Sequence, residues 1–339
     1  DKEGEQSQKI AATTTATMTA TNAIGPSNTP PLANYGILTG QMFLYSRGLA
    51  AFESPPPSVL SSLSGGEKKT SGKAFPSKKC ILIGGLSDGM LPVPYTGILE
   101  EACHQNGWSL VQPLISSSYL GFGHGTLERD CREIEQLLEY LFTYRSGEEF
   151  ALVGHSTGCQ DSVYFLEHAK PEWKAKVRLV ALQAPVSDRE GAEFEDGFAQ
   201  KLQDAQKLVE SGHGQEMLPR AHHWAPMTAQ RFVDLHVRGG RDDYFSSDYT
   251  DAELGERLSH CSLPEQHPDL RVLVAYSGAD EYVPAHINKA KQTERLVKAM
   301  NGEFSDSTSD TRRKVAEALY LETGNHNLSE EGNGTENSK

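Results

Sequence analysis

The stretch from Phe150 to Gln160 constrains the fold of this chain more than any other. Four apolar residues lead into Gly-His-Ser-Thr-Gly at 154–158, and an apolar pattern with helical spacing begins at Val163. This order predicts a strand, a tight turn and a helix. A Gly-x-Ser-x-Gly sequence in that setting is typical of a nucleophile elbow, where flanking glycines let backbone and helix approach closely. Ser156 is therefore the candidate nucleophile, since the strand and helix favour this interpretation over an ordinary turn serine.

Strands alternate with helices over most of the chain. Besides the strand before Ser156, apolar runs predict strands at 79–84, 108–114, 177–182, 271–277 and near 318–321. An apolar stripe from Leu127 to Leu141 predicts a long amphipathic helix, and another helix is predicted from about 286 to 300. The alternation predicts an α/β fold with a largely parallel sheet and helices on both faces. Two short strands between 37 and 52 predict an antiparallel start to that sheet.

Composition and pattern divide the chain into five segments. The first is rich in Thr, Ala, Asn and Pro without an aromatic residue, which predicts disorder. Within the next, a Pro-, Ser- and Gly-rich stretch at 54–75 predicts a flexible loop. Later the alternation stops for about eighty residues, where helices and loops predict a lid inserted over the site. We predict a disordered leader at 1–33, a first core part at 34–187 and a helical lid at 188–268. A second core part is predicted at 269–328 and a flexible tail at 329–339.

An acid and a base follow two of the later strands. Asp280 lies in the turn after the strand that ends at Ser277, and His326 lies just past the last strand. A serine nucleophile needs a base and a carboxylate that orients the base. Because catalytic groups gather beyond the carboxyl ends of parallel strands, we expect Ser156, Asp280 and His326 to lie together. Their order along the chain is also the one expected of this architecture.

Each of these choices has an alternative. Glu281 is adjacent to Asp280 and is a second candidate acid, although Asp280 comes first after the glycine turn. The chain has twelve histidines. Among the alternatives as base, His155 lies inside the elbow, where packing or a place in the substrate pocket is expected, and His286 begins a predicted helix.

The oxyanion hole is expected to consist of two backbone N–H groups. One belongs to Thr157, at the start of the helix after the nucleophile. The second is assigned to Leu86, in the loop after the strand at 79–84, with Ser87 as the alternative and as a candidate for substrate binding. The histidines and cysteines show no spacing typical of a metal site, so no metal or cofactor is predicted.

The predicted lid contributes further candidates for substrate binding. Asp242, Asp243 and Asp248 form an acidic rim in one interpretation and serve helix capping in another, and Thr250 to Glu253 matches a capping box. Trp224 and the adjacent histidines are assigned either to the pocket lining or to the interior of the lid.

Charge and cysteine content exclude several classes of partner. The chain has 32 basic and 46 acidic residues, a formal charge of −14, which argues against nucleic acid and anionic membranes. The five cysteines have no metal-type spacing and several lie in apolar patterns, as reduced core residues do. Neither a signal peptide nor an apolar membrane span is visible. A cytoplasmic protein with neutral or cationic small-molecule ligands is expected.

Five segments together resemble a known group of proteins. They are Gly154–Asp161, Leu182–Glu190, Pro226–Phe232, Asp242–Asp248 and Ser277–Pro284. The group comprises fungal and plant α/β-hydrolases long labelled only as a domain of unknown function. Its characterised fungal members are intracellular siderophore esterases that act on fusarinine-type compounds.

This resemblance implies an α/β-hydrolase fold with a catalytic triad of Ser156, Asp280 and His326. It also implies a small-molecule ester as substrate, specifically a ferric hydroxamate siderophore whose iron is substrate and not cofactor. Because the group contains members of unknown substrate, two alternatives stay open. One is a general carboxylesterase or thioesterase for small acyl substrates, and the other is a catalytically silent ligand-binding protein.

Overall fold

A computed structural model describes residue 35 and residues 37–64, 75–305 and 312–329. The predicted leader and nearly all of the predicted tail lie outside the described residues. Eight strands form one sheet in the order β1-β2-β4-β3-β5-β6-β7-β8. They are β1 Gln41–Ser46, β2 Leu49–Ser54, β3 Lys78–Ile83, β4 Trp108–Leu114, β5 Glu149–His155, β6 Val177–Gln183, β7 Arg271–Ser277 and β8 Ala316–Leu321.

The sheet confirms the predicted topology. β1 pairs antiparallel with β2, and β2 antiparallel with β4, while all other neighbours are parallel. Ten α-helices are described, with two 3-10 helices at Tyr119–His124 and Ser259–Ser262. The α-helices are α1 Pro57–Ser64, α2 Thr96–Gln105, α3 Leu127–Tyr144, α4 Thr157–His168, α5 Pro171–Lys174, α6 Asp188–Ala192, α7 Phe198–Glu210, α8 Ala229–His236, α9 Asp251–Leu258 and α10 Lys289–Met300. None of the described helices is long and apolar enough to cross a membrane.

The first part of the predicted flexible loop at 54–75 is wrong. Ser54 is the last residue of β2, and α1 begins at Pro57. A proline at the first helical position does not interrupt a helix, since the N–H it lacks would have no intrahelical partner there. Residues 65–74 of the predicted loop lie outside the described residues.

Strand residues face a core on both sides of the sheet. Ile81 and Ile83 of β3 belong to the main hydrophobic core, whereas Cys80 and Leu82 point into a smaller core that includes Cys103 of α2. This alternation follows from the two-residue repeat of a strand. The stripe predicted for α3 is buried in the main core, and all five cysteines are buried and unpaired.

The segment predicted as one lid divides into two parts. Its first part, with α6 to α8, forms a separate hydrophobic core with Phe122 of the first 3-10 helix, centred on Phe198, Phe232 and Leu235. Residues of the second part, including Tyr244 and Leu258, belong instead to the main core. The second part of the predicted lid is therefore a component of the sheet-and-helix body.

Two buried histidines of this second part lie beside α4, the helix that follows the candidate nucleophile. His260 contacts the main chain at Val163, and His267 contacts it at Leu166. Burial lowers the pKa of His260 to about 3 and that of His267 to about 4. Both imidazoles are therefore neutral in the folded protein at neutral pH.

We expect His267→Gln to weaken the loss of stability on acidification. Because the folded-state pKa of His267 lies below the ordinary value, the unfolded chain binds its proton first as pH falls through about 6.5. The contribution of the neutral histidine to stability is thus fully present above that pH and is lost as pH falls toward 4. Between pH 7 and pH 5 the free energy of unfolding falls by about 2 kcal/mol per such histidine. Thermal melting at both pH values should show a smaller loss in the variant.

The exposed His213 supplies the control. A His213→Gln variant should retain the wild-type difference in melting temperature between pH 7 and pH 5. Equal differences in the wild type and the His267→Gln variant would contradict the assignment of this acid sensitivity to His267.

Candidate active site

The candidate nucleophile lies in a strained turn between β5 and α4. Ser156 has φ of 52° and ψ of −122°, a conformation that costs a residue with a side chain about 1–3 kcal/mol. The turn is possible because the flanking residues are glycines. A Cβ atom at Gly154 would lie 2.2 Å from the carbonyl oxygen of Gly158, and one at Gly158 would lie 2.4 Å from that of Ile83. The predicted strand, turn and helix are confirmed.

His326 and Asp280 form a hydrogen-bonded pair. Nδ1 of His326 lies 2.8 Å from Oδ2 of Asp280, and both side chains are buried. Because a carboxylate only accepts hydrogen bonds, Nδ1 carries the hydrogen and Nε2 is left as the basic nitrogen. The Asp280 carboxylate is itself held by the N–H of Tyr282, 3.0 Å from Oδ1. This pairing fixes the orientation of the imidazole ring.

Glu281, the alternative acid, has a different partner. Its Oε2 accepts a hydrogen bond from the backbone N–H of His326 at 2.9 Å. Asp280 therefore contacts the ring of His326, and Glu281 contacts its main chain. Ser156 and His326 line the same cavity, but no hydrogen bond joins them in the described part of the chain. Their contact stays a prediction.

The loop after β3 passes directly over the nucleophile. A Cβ atom at Gly85 would lie 2.7 Å from Cβ of Ser156, so the backbone approach requires glycine there. The next residues, Leu86 and Ser87, line the cavity beside Ser156. Thr157 is the first residue of α4, and its N–H therefore has no partner within the helix. Their use as oxyanion donors stays a prediction.

Sequence reasoning missed Asp88, which organises this loop. Its Oδ2 accepts a hydrogen bond from the N–H of Gly85 at 2.7 Å, and its own N–H donates to the carbonyl of Gly85. The turn also places Ser87 at φ of 68°. An Asp that caps a neighbouring backbone N–H in a glycine-rich turn is a recognisable signal, so this residue could have been found from the sequence.

His155 is a neutral buried residue beside the candidate base. Its ring lies 5.0 Å from that of His326, and its Nδ1 lies 2.6 Å from Oε1 of Gln183. Burial lowers the pKa of His155 to about 4, and the nearby His326 makes a smaller contribution to the lowering. It lines the cavity with only a small exposed surface, which agrees with both of its predicted locations.

The cavity has a volume of about 700 Å³ and an acidic, aromatic lining. Trp224, one of the candidates from the predicted lid, lines it with an exposed side chain, as do Phe194 and Tyr282. No lysine or arginine is among its described lining residues, whereas four carboxylates are: Asp88, Asp188, Glu195 and Glu281. In the described ranges there is no cluster of three or more His, Cys, Asp or Glu side chains able to hold a metal ion.

Asp188 differs from the other carboxylates of the cavity. It is the first residue of α6, and its Oδ2 accepts a hydrogen bond from Nε2 of Gln160 at 2.9 Å. Desolvation raises the pKa of Asp188 to about 7, with Asp242 adding a smaller repulsive contribution. Asp188 therefore holds a proton for part of the time at neutral pH.

The structure does not bring Asp242, Asp243 and Asp248 to the cavity that contains Ser156. Each of them is instead engaged in ion pairs inside the insertion. Asp242 accepts a hydrogen bond from the buried Arg231 at 2.7 Å. Asp243 and Asp248 both pair with Arg189 of α6.

The capping alternative is confirmed for the neighbouring residues. Thr250 and Glu253 form both hydrogen bonds of a capping box at the start of α9. The ion pairs and the cap show that most of these charged side chains contact other residues of the insertion.

Comparison with known proteins identifies the family and relatives of this chain. A family model described as a protein of unknown function (DUF1749) matches residues 58–332. The UPF0613 protein PB24D3.06c of Schizosaccharomyces pombe is 34% identical over 248 residues, which cover 67% of this chain and 76% of that protein. Fusarinine C esterase sidJ of Aspergillus fumigatus is 30% identical over 261 residues, covering 62% of this chain and 72% of that protein.

Solved structures show the same fold. The siderophore hydrolase EstB from Aspergillus fumigatus superposes with a TM-score of 0.65 at 26% identity, covering 87% of this chain and 92% of that chain. An α/β-hydrolase fold protein of unknown function superposes with a TM-score of 0.55 at 17% identity, covering 84% of this chain and 86% of that chain. The chain has the α/β-hydrolase fold and belongs to the DUF1749 family.

Proposed function

We propose that this protein is a serine esterase with a triad of Ser156, His326 and Asp280. One observation carries the proposal. His326, whose Nδ1 lies 2.8 Å from Oδ2 of Asp280, lines the same cavity as the strained Ser156. The ester hydrolases among its relatives support the same reaction class. A serine held in a strained turn that lines the same cavity as an oriented imidazole is suited to acyl transfer.

In the proposed reaction, Oγ of Ser156 attacks the ester carbonyl while Nε2 of His326 takes its proton. The imidazolium then gives that proton to the leaving alcohol, and Asp280 keeps the ring in one tautomer throughout. The N–H groups of Leu86 and Thr157 stabilise the negative charge on the carbonyl oxygen. Water, activated by His326, attacks the acyl-enzyme and releases the acid.

The proposed substrate is a ferric fusarinine-type siderophore, cleaved in the cytoplasm. Fusarinine C carries free amines, and the cavity offers four acidic side chains without a lysine or arginine among its described lining residues. The volume of about 700 Å³ suits a bulky ligand. Opening the ester links between the hydroxamate arms removes the preorganisation of the chelate, so iron is held less tightly. The names of two relatives, a fusarinine C esterase and a siderophore hydrolase, support this substrate class.

We expect wild-type protein to linearise ferric fusarinine C faster than a simple aryl ester, and Ser156→Ala to abolish both reactions. Loss of the nucleophile removes the covalent step, so kcat should fall by about a thousandfold or more. Mass spectrometry of ferric fusarinine C, its triacetylated form and the aryl ester, each incubated with both proteins, measures this directly.

The other outcomes separate the alternatives. Serine-dependent cleavage of the aryl ester alone would retain the triad and assign a general carboxylesterase. Hydrolysis that persists in Ser156→Ala would contradict the proposed mechanism. Binding of the siderophore without cleavage by either protein would indicate a ligand-binding protein.

We expect Glu195→Gln to weaken binding of cationic esters selectively. Glu195 lines the cavity, and its side chain is 62% exposed, with Lys201 3.8 Å away. An exposed carboxylate contributes up to about 1 kcal/mol to an ion pair, so KM for acetylcholine should rise about threefold. KM for 3,3-dimethylbutyl acetate, which has the same shape without the charge, should not change.

The control is Glu172→Gln, which removes an exposed carboxylate of α5 outside the cavity lining. Steady-state kinetics of this variant should match the wild type for both esters. An equal rise in KM for the charged and the uncharged ester in Glu195→Gln would refute electrostatic recognition at this residue.

A further inference from the structure

Gln183 contacts the main chains of two proposed catalytic residues. It is the last residue of β6 and pairs in register with His155 of β5. Its carbonyl oxygen accepts the N–H of Ser156 at 3.0 Å. Its side-chain Nε2 donates to the carbonyl oxygen of His326 at 2.8 Å. One residue thus joins the elbow to the loop that carries the base.

The side-chain amide of Gln183 is held in a single orientation. Its Oε1 accepts from Nδ1 of His155 at 2.6 Å and from the hydroxyl of Tyr95 at 3.1 Å. These two contacts at the oxygen direct Nε2 toward His326. Gln183 is 4% exposed, and the next residue, Ala184, turns the chain sharply with φ of 56°. The amide is therefore a buried, fully oriented group, in which an unpaired atom is costly.

The main chain of His326 is held at both of its polar groups. Glu281 accepts its N–H at 2.9 Å, and Gln183 donates to its C=O at 2.8 Å. The first position needs an acceptor, which a carboxylate supplies. The second needs a donor, which an amide supplies and a carboxylate does not. The identity of residue 183 therefore follows from the chemistry of the carbonyl group that it contacts.

We propose that Gln183 is a positioning residue, which sets the location of His326 relative to Ser156 through this donated hydrogen bond. The inference rests on the proposed triad. The loop of His326 follows β8 at the edge of the sheet, whereas Ser156 follows the central strand β5. Gln183 spans this separation from the strand beside the elbow. A displacement of the base by about 1 Å is enough to lower the rate a hundredfold.

Gln183→Met tests this role, since it keeps the length of the side chain and removes its donor. We expect kcat for a p-nitrophenyl ester to fall at least tenfold with KM within twofold of the wild type. Gln183→Glu at pH 8 is a second variant that keeps the acceptor for Tyr95 and His155. It should also lose at least tenfold in kcat, even if the methionine variant folds poorly.

The matched control is Gln292→Met. Gln292 of α10 is equally buried and donates to the carbonyl oxygen of Phe245 at 3.0 Å, outside the cavity lining. It should lose melting temperature as Gln183→Met does, without a change in kcat. A kcat within twofold of wild type in both Gln183 variants, or an equal loss in Gln292→Met, would overturn the inference. The Ser156→Ala variant separates the two proposals: if it is inactive while the Gln183 variants are normal, only the positioning role fails.

Discussion

The close approach of β3, β5 and α4 is the constraint on which the rest of the site depends. Glycines at 85, 154 and 158 remove the atoms that would keep these three backbones apart. The approach forces Ser156 into a conformation that a residue with a side chain adopts only when its surroundings determine it. Two hydrogen bonds hold Ser156 in this conformation. Its N–H donates to the carbonyl oxygen of Gln183, and its own carbonyl oxygen accepts the N–H of Cys159. The location of the Ser156 hydroxyl at the cavity is thus a product of main-chain packing.

The parallel register of the sheet brings distant parts of the chain to this one place. His155 pairs with Gln183, and Ser277 pairs with Leu321, so strands β5 to β8 end at one edge. Each of these strands is followed by a loop that supplies one component of the site. The hydrogen bonds around His326 come from the last residue of β6 and from the loop after β7, which explains why a single histidine has its ring and both main-chain groups fixed.

The sequence predicted what depends on local pattern and on topology. The bounds of β4 and β7 agree with prediction, because both strands are buried apolar runs with clear ends. The proximity of His326 to Asp280 followed from the rule that strand ends converge. The ion pairs of Asp242 and Asp248 could not be predicted in this way. Their partners, Arg231 and Arg189, come from other segments whose approach is set by tertiary packing. Gln183 has no signal of its own, because its role lies in a partner far along the chain.

The location of the acidic side chains, and not the net charge of the chain, distinguishes the cavity. The net charge of −14 suggested that acidic residues of the insertion face a ligand, but those residues neutralise arginines that hold the insertion together. Asp188 and Glu195 instead face the cavity. Because the pKa of Asp188 is raised to about 7, the cavity becomes more negative as pH rises through neutrality. We therefore expect the attraction of a cationic ligand to the cavity to strengthen with pH over the same range.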